Sequence, residues 1–237
     1  MITMIGTAHV FRIAEQVSFI IKHTWPDAVL IEMDERRYAE MSDSAGNRKE
    51  RTDSKDLYHQ AAKVQIRLSE KNGAVSGEDM IAAVSAGRVI GAEIICIDKD
   101  AEQTMRELKE EMPFFEGIRY RFASRRHRRP GRSKRSAAGE DPSAAEERYY
   151  RDMRRRFPAM TRKLIDERDA HMAERIKEAS EKYKNIAVVV GDGHIRGICG
   201  ILGDAGIDVI RLADMLDRER MDEVRSRIWN RKTETSR

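Results

Sequence analysis

Short apolar runs alternate with longer amphipathic stretches along the chain. Five of these runs are largely continuous, as in strands covered on both faces of a parallel sheet: "MITMI", "AVLIEMD", "EIICID", "IAVVV" and "IDVIRL". Between them, apolar residues recur every three or four positions, as in "FRIAEQVSFIIKHTW", which indicates amphipathic helices. The pattern therefore predicts an α/β fold with a mostly parallel central sheet flanked by helices.

The helical pattern also predicts where the helices begin and end. The helix that begins near residue 144 ends before Pro158, a favourable first-turn residue with which a new helix begins. At 237 residues the chain is long enough for one core, and we expect a single α/β domain over 1–237. The predicted helices cover about 11–25, 35–41, 55–68, 78–86, 100–112, 144–157, 158–183, 195–205 and 213–232, the last of them highly charged.

Composition narrows the class of protein. Hydrophobic residues make up 40% and charged residues 36% of the chain, and no apolar run approaches the roughly 20 residues that span a bilayer. Met1 leads directly into a strand rather than into a signal peptide, so we expect a cytoplasmic protein without a transmembrane segment. The two cysteines, Cys96 and Cys199, lie in apolar runs and are expected to be buried free thiols.

The net charge of +4 is concentrated in one segment. Residues 119–147 have the composition of a flexible insertion, because so many like charges cannot bury apolar surface. The segment is either a solvated insertion or a contact for an anionic surface or nucleic acid. Its basic residues, all within 119–135, are Arg119, Arg121, Arg125, Arg126, Arg128, Arg129, Arg132, Lys134 and Arg135.

A glycine followed three residues later by a histidine occurs twice between a predicted strand and a predicted helix. The pairs are Gly6 with His9 in "IGTAHV" and Gly191 with His194 in "GDGHIRGI". The glycine permits a sharp turn, and the N–H groups of the following helix favour an anion or an oxyanion. Histidine at this point can bind a metal or transfer protons. An ordinary turn before a helix would also explain either pair alone.

The carboxyl ends of parallel strands meet at one edge of a sheet, where ligands bind. His9, Glu32, Asp98 and His194 all fall at or just beyond predicted strand ends, so we expect them to converge. Glu32 ends a buried strand and needs a cation, a donor or a metal there. Arg37 either forms a salt bridge with Glu32 or binds a substrate carboxylate.

Three consecutive charged residues in "LIDERDAHM" need explanation. Glu167, Arg168 and Asp169 are about 100° apart on a helix, so they cannot all face water while Leu164 and Met172 face inward. At least one is therefore expected at the core boundary facing the rim, with a solvated charged face as the alternative. A dinucleotide site is disfavoured, because "GDGHIRG" is one residue longer than the usual fingerprint.

Five motifs together resemble the TraB family, which includes the PrgY pheromone-shutdown proteins and is related to the Tiki and GumN proteins. They are "IGTAHV", "IEMDERRY", "CIDKDAEQTMREL", "LIDERDAHMAERI" and "GDGHIRGI", in the order in which the family has them. The resemblance implies an α/β fold of the ChaN and erythromycin-esterase type, in which the motifs meet at one pocket. PrgY-type members usually continue into membrane helices, whereas this chain ends in a charged stretch.

The resemblance also implies site residues, because the Tiki relatives are described as metal-dependent proteases that use manganese or cobalt. It makes His9 and His194 metal ligands and Glu32 a ligand or general base, for manganese, cobalt or zinc. The matching catalytic candidates are Glu32, Arg37, Glu167 and Arg168, and the substrate-binding candidates are Gly6, Gly191, Gly193 and Asp169.

Two functional hypotheses follow. The first is a metal-dependent hydrolase, peptidase-like, acting on an amide or ester bond of a peptide or small-molecule substrate. The alternative is a noncatalytic regulatory module that binds a peptide or small anionic ligand at the same site. Under either hypothesis the protein could form an oligomer.

Overall fold

The computed structural model describes residues 1–8, 11–43, 77–117, 119, 142–203 and 206–235. These residues divide into two compact units, the first formed by 1–100 with 169–237 and the second by 101–168. The prediction of one domain over the whole chain stays a prediction. His9, the predicted helix at 55–68 and residues 120–141 of the basic segment lie outside the described residues.

The first unit contains a parallel sheet, which confirms the predicted α/β class. Strand β4 lies between β1 and β2, and the complete order is β3-β2-β4-β1-β5, with every pairing parallel. All strand ends of the same kind therefore share one edge. The strands are β1 Ile2–Thr7, β2 Ala28–Ile31, β3 Glu93–Cys96, β4 Ile186–Gly191 and β5 Ile207–Ile210.

Helices connect the strands of the first unit and make up most of the described second unit. Within the described ranges, none of them is long and apolar enough to cross a membrane. In chain order they are α1 Ala14–Thr24, α2 Glu35–Asp43, α3 Glu78–Val89, α4 Ala101–Glu111, α5 Pro142–Arg156, α6 Pro158–Thr161, α7 Glu167–Lys182, α8 Asp192–Leu202, α9 Leu212–Leu216 and α10 Arg218–Thr235.

Both faces of the sheet are covered, which is why the strand sequences are largely apolar. Successive strand residues point to opposite faces, so Val29 and Leu30 of β2 belong to different hydrophobic clusters. One cluster includes residues of α1, α3 and α10, and the other includes residues of α7 and α8. The sheet is therefore a middle layer that fixes the positions of the residues at its carboxyl edge.

Two predicted helices are interrupted. The helix predicted over 158–183 consists of α6, a π-helical turn at Arg162–Asp166 and α7. The helix predicted over 213–232 is divided into α9 and α10, because Asp217 between them has an extended backbone. Hydrophobic spacing alone does not reveal either interruption, since the residues on both sides keep a helical period.

The π-helical turn of the second unit carries a buried ammonium group. Lys163 Nζ lies 3.2 Å from Glu107, 2.7 Å from Glu111 and 3.1 Å from Glu167 carboxylate oxygens. Hydrogen bonds from Lys163, first to Glu111 and then to Glu167 and Glu107, raise the pKa of its side chain despite burial. The cluster joins the turn to α4.

Both cysteines are buried and free, as predicted. Burial is the main cause that raises the pKa of Cys96 to about 12, and the nearby carboxylate of Glu35 acts in the same direction. The thiolate, which is the reactive form, is therefore scarce at neutral pH.

We expect neither thiol to react with an excess of a thiol-specific disulfide reagent in the native protein, and both to react in denaturant. The raised Cys96 pKa favours the folded state fully below about pH 9, the value of an exposed thiol, and this stabilisation is lost as pH rises towards 12. Absorbance of the released chromophore counts the reactive thiols. Rapid modification of Cys96 in the folded protein would contradict its burial.

Candidate functional site

Three ionisable side chains meet at the carboxyl edge of the sheet. Glu32 directly follows β2, His194 is the third residue of α8 after β4, and Asp169 is the third residue of α7. His194 Nδ1 lies 2.5 Å from Asp169 Oδ1, and His194 Nε2 lies 3.4 Å from Glu32 Oε1. Their side chains are 12%, 9% and 6% exposed for His194, Glu32 and Asp169. The imidazole therefore lies between two carboxylates.

The two sides of the imidazole are not equivalent. Because a carboxylate only accepts hydrogen bonds, the short contact with Asp169 requires a proton on Nδ1 of His194. In the neutral ring this leaves Nε2 as the acceptor or ligand atom that faces Glu32. A carboxylate bonded to one ring nitrogen is the arrangement that orients histidines in metal sites and in catalytic triads.

The last residue of β4 fixes Glu32. Gly191 N–H donates a hydrogen bond of 2.5 Å to Glu32 Oε2, so the other oxygen, Oε1, is the one near His194. A Cβ atom on Gly191 would lie 3.2 Å from Glu32 Oε2, tighter than most such contacts. The glycine of the second Gly-x-x-His motif thus serves as a close donor to the strand-end carboxylate.

Gly6 of the first motif also lies against a carboxylate. Asp192, the first residue of α8, accepts hydrogen bonds from Arg211 Nε at 3.0 Å, Arg211 Nη2 at 2.8 Å and Leu212 N–H at 2.8 Å. A Cβ atom on Gly6 would lie 2.1 Å from Asp192 Oδ1. The pair Asp192 and Arg211 therefore ties the start of α8 to the start of α9, a link that sequence reasoning did not find.

The other predicted residues outside the second unit are Arg37 on α2 and Gly193 on α8. Arg37 is half-buried, and its backbone N–H donates to Asp34 Oδ1 at 2.8 Å, so Asp34 caps α2. Among the described residues, no hydrogen bond or ion pair engages the Arg37 guanidinium, and the alternative of a salt bridge with Glu32 is therefore not realised. Gly193 is the second residue of α8, next to His194.

Glu167 and Arg168 directly precede Asp169 on α7, and their predicted roles in the site stay predictions. The structure assigns both to the second unit, where Glu167 pairs with Lys163 and Arg168 Nη1 donates to Leu164 O at 3.2 Å. Asp169 is the buried member of this charged run, in agreement with the expectation that at least one of the three would lie at the core boundary.

Two of the three predicted metal ligands, Glu32 and His194, lie within the described residues. Within the described ranges, no group of three His, Cys, Asp or Glu side chains is arranged to hold a metal ion, and His9 lies outside those ranges. Two ligand atoms of one tetrahedral ion, each about 2.1 Å from it, are about 3.4 Å apart. His194 Nε2 and Glu32 Oε1 have that separation, so they fit two positions of such a ligand set.

The fold and the site define a parallel α/β protein with a histidine held between carboxylates at the carboxyl edge of its sheet. The model of the TraB/PrgY/gumN family matches residues 132–206, a range that contains Asp169, Gly191 and His194. This match confirms the family resemblance that the motifs predict.

A curated relative is consistent with the same family. The chain is 27% identical over 209 residues to the uncharacterized protein MJ1365 of Methanocaldococcus jannaschii. The alignment covers 83% of this chain and 52% of that protein, so the chain spans about half the length of the curated relative that it matches.

Proposed function

We propose that this protein is a metal-dependent hydrolase that cleaves an amide or ester bond, with His9, Glu32 and His194 holding a divalent ion. The observation that carries the proposal is the orientation of His194, with Nδ1 on Asp169 and Nε2 near Glu32 Oε1. Manganese, cobalt or zinc bound there would lower the pKa of a coordinated water and polarise the carbonyl of the substrate.

The residues around the cluster have separate tasks in this proposal. Asp169 holds the proton on His194 Nδ1 and thereby keeps the ring in one tautomer. Gly191 N–H holds one oxygen of Glu32, which leaves the other to bind the ion or to accept a proton from the attacking water. Both contacts orient a side chain of the site, and both are in place before any substrate binds.

Arg37 is the candidate for substrate recognition. Arg37 is half-buried, and its guanidinium has no hydrogen-bond or ion-pair partner among the described residues. A planar guanidinium binds a carboxylate through two parallel hydrogen bonds. We therefore favour a peptide substrate, or a small one, that carries an anionic group.

Calorimetric titration with manganese, cobalt and zinc tests the metal. We expect the wild-type protein to bind at least one of these ions and His194→Ala to bind it at least about 10-fold more weakly, because a ligand atom is lost. His171→Ala is the matched control, since His171 lies on α7 outside the cluster. Equal affinities of the wild type and His194→Ala would show that His194 is not a ligand of the ion.

A second measurement separates hydrolysis from the regulatory alternative. Metal-loaded protein is incubated with a panel of peptides and esters, and both product formation and the midpoint of thermal unfolding are followed. The hydrolase forms product, and Glu32→Gln does not. A peptide that raises the midpoint without being cleaved would instead indicate the noncatalytic module, because binding alone stabilises the folded state.

A further inference from the structure

Gly197 lies one turn after His194 on α8, so the two residues share a face of the helix. A Cβ atom on Gly197 would lie 1.8 Å from Asp169 Oδ2, 2.6 Å from Asp169 Cγ and 3.2 Å from Asp169 Cβ. The carboxylate that holds His194 thus occupies the volume that a side chain at position 197 would need.

Gly200, one turn further along the same helix, has a different environment. A Cβ atom on Gly200 would meet nothing within 4 Å. Glycine in a helix interior is less favourable than alanine, so neither glycine is explained by helix formation. Of these two glycines, only Gly197 lies so close to another residue that a side chain at its position would collide with it.

Small adjustments would not relieve a collision at position 197. Both the oxygen and Cγ of Asp169 are too close, and an aspartate has only one rotatable bond that moves them together. The two helices cannot separate freely, because Met172 of α7 and Ile198 of α8 are fully buried in the same hydrophobic cluster. The carboxylate would have to rotate away from His194.

We propose that Gly197 is a positioning residue: its bare backbone provides the space in which Asp169 holds His194, with Nδ1 towards Asp169 and Nε2 towards Glu32. The glycine acts through Asp169 and does not touch the reacting atoms. The catalytic value of this positioning rests on the function proposed above, whereas the positioning itself does not.

A double-mutant cycle followed by thermal unfolding tests the proposal without metal or substrate. We expect Gly197→Ala to lower the unfolding midpoint of the wild-type protein. In the Asp169→Ala background, where Oδ2 and Cγ are absent, the same substitution should have little effect or raise the midpoint, as Gly200→Ala should in the wild type. Equal lowering in both backgrounds would overturn the proposal.

The cycle remains informative if Gly197→Ala does not fold. Folding of the double variant Asp169→Ala/Gly197→Ala would then be a rescue that supports the proposal. Failure of this double variant beside a folded Asp169→Ala would contradict it, because the collision would not involve the carboxylate.

The orientation of His194 is measured by long-range ¹H–¹⁵N NMR of its ring, assigned with His194→Gln. We expect a protonated, hydrogen-bonded Nδ1 in the wild type and in Gly200→Ala, and loss of that signal in folded Gly197→Ala. A wild-type Nδ1 signal in Gly197→Ala would overturn the role of this glycine. Neither result depends on hydrolysis, so failure of the proposed function would leave both measurements interpretable.

Discussion

The Glu32→Gln variant is expected to lose hydrolytic activity by at least about 100-fold while remaining folded. Glutamine has almost the same volume, and its amide oxygen can still accept the hydrogen bond from Gly191 N–H. It lacks the negative charge and the second acceptor oxygen that lies 3.4 Å from His194 Nε2. The substitution therefore removes the chemistry of the carboxylate and retains its main structural contact.

Turnover of a substrate that the wild-type protein cleaves measures this effect, and circular dichroism monitors the fold. Glu40→Gln is the matched control, because Glu40 lies on α2 with an exposed side chain and forms, among the described residues, only a long contact of 4.0 Å with Arg36. We expect Glu40→Gln to retain wild-type activity. Full activity in Glu32→Gln would exclude this carboxylate from the reaction.

The Gly6→Ala variant is expected to lower the free energy of unfolding by about 1–3 kcal/mol, the usual cost of overpacking. The added methyl group would lie 2.1 Å from Asp192 Oδ1 and 2.6 Å from Ile195 Cδ1. Asp192 cannot move away without losing its two hydrogen bonds from Arg211 and one from Leu212. The strand β1 that carries Gly6 is paired on both sides and cannot shift easily.

Urea denaturation measures this change, with Gly200→Ala as the control for adding a methyl group on α8, the helix that begins with Asp192. Since Gly200 has open space around it, its replacement should raise the free energy of unfolding by up to about 1 kcal/mol through helix propensity. The two glycine substitutions should thus have opposite signs. A wild-type unfolding curve for Gly6→Ala would show that the sheet edge tolerates a larger residue.

The sequence predicts the sheet well because its central strands are buried on both faces and are therefore largely apolar. The burial of β2, from Ala28 to Ile31, is complete, and β4 is buried from Ile186 to Val190. The same reasoning predicts strand-end polar residues, and Glu32 and His194 do meet at the carboxyl edge. Parallel topology is sufficient to bring them together.

The contacts that orient the site are less accessible to sequence reasoning. Asp169 and His194 are 25 residues apart and belong to different helices, so only packing determines that they touch. Asp192 and Arg211 resemble ordinary residues at the ends of two strands, and nothing in their spacing indicates a two-bond ion pair. Lys163 looks like a surface lysine in a helical pattern, because the π-helical turn around it leaves no hydrophobic signal.

The position of β4 in the sheet has a consequence for biosynthesis. Strands β1 and β2 are synthesised before the other three strands of the sheet, but they are not paired with each other. Both pair with β4, whose residues follow more than 150 residues later, from Ile186 to Gly191. A chain synthesised as far as residue 100 can therefore join β2 to β3 but leaves β1 without any strand partner among the described residues. Such long-range pairing slows folding, so β1 is the strand of this sheet for which a chaperone would be most useful during synthesis.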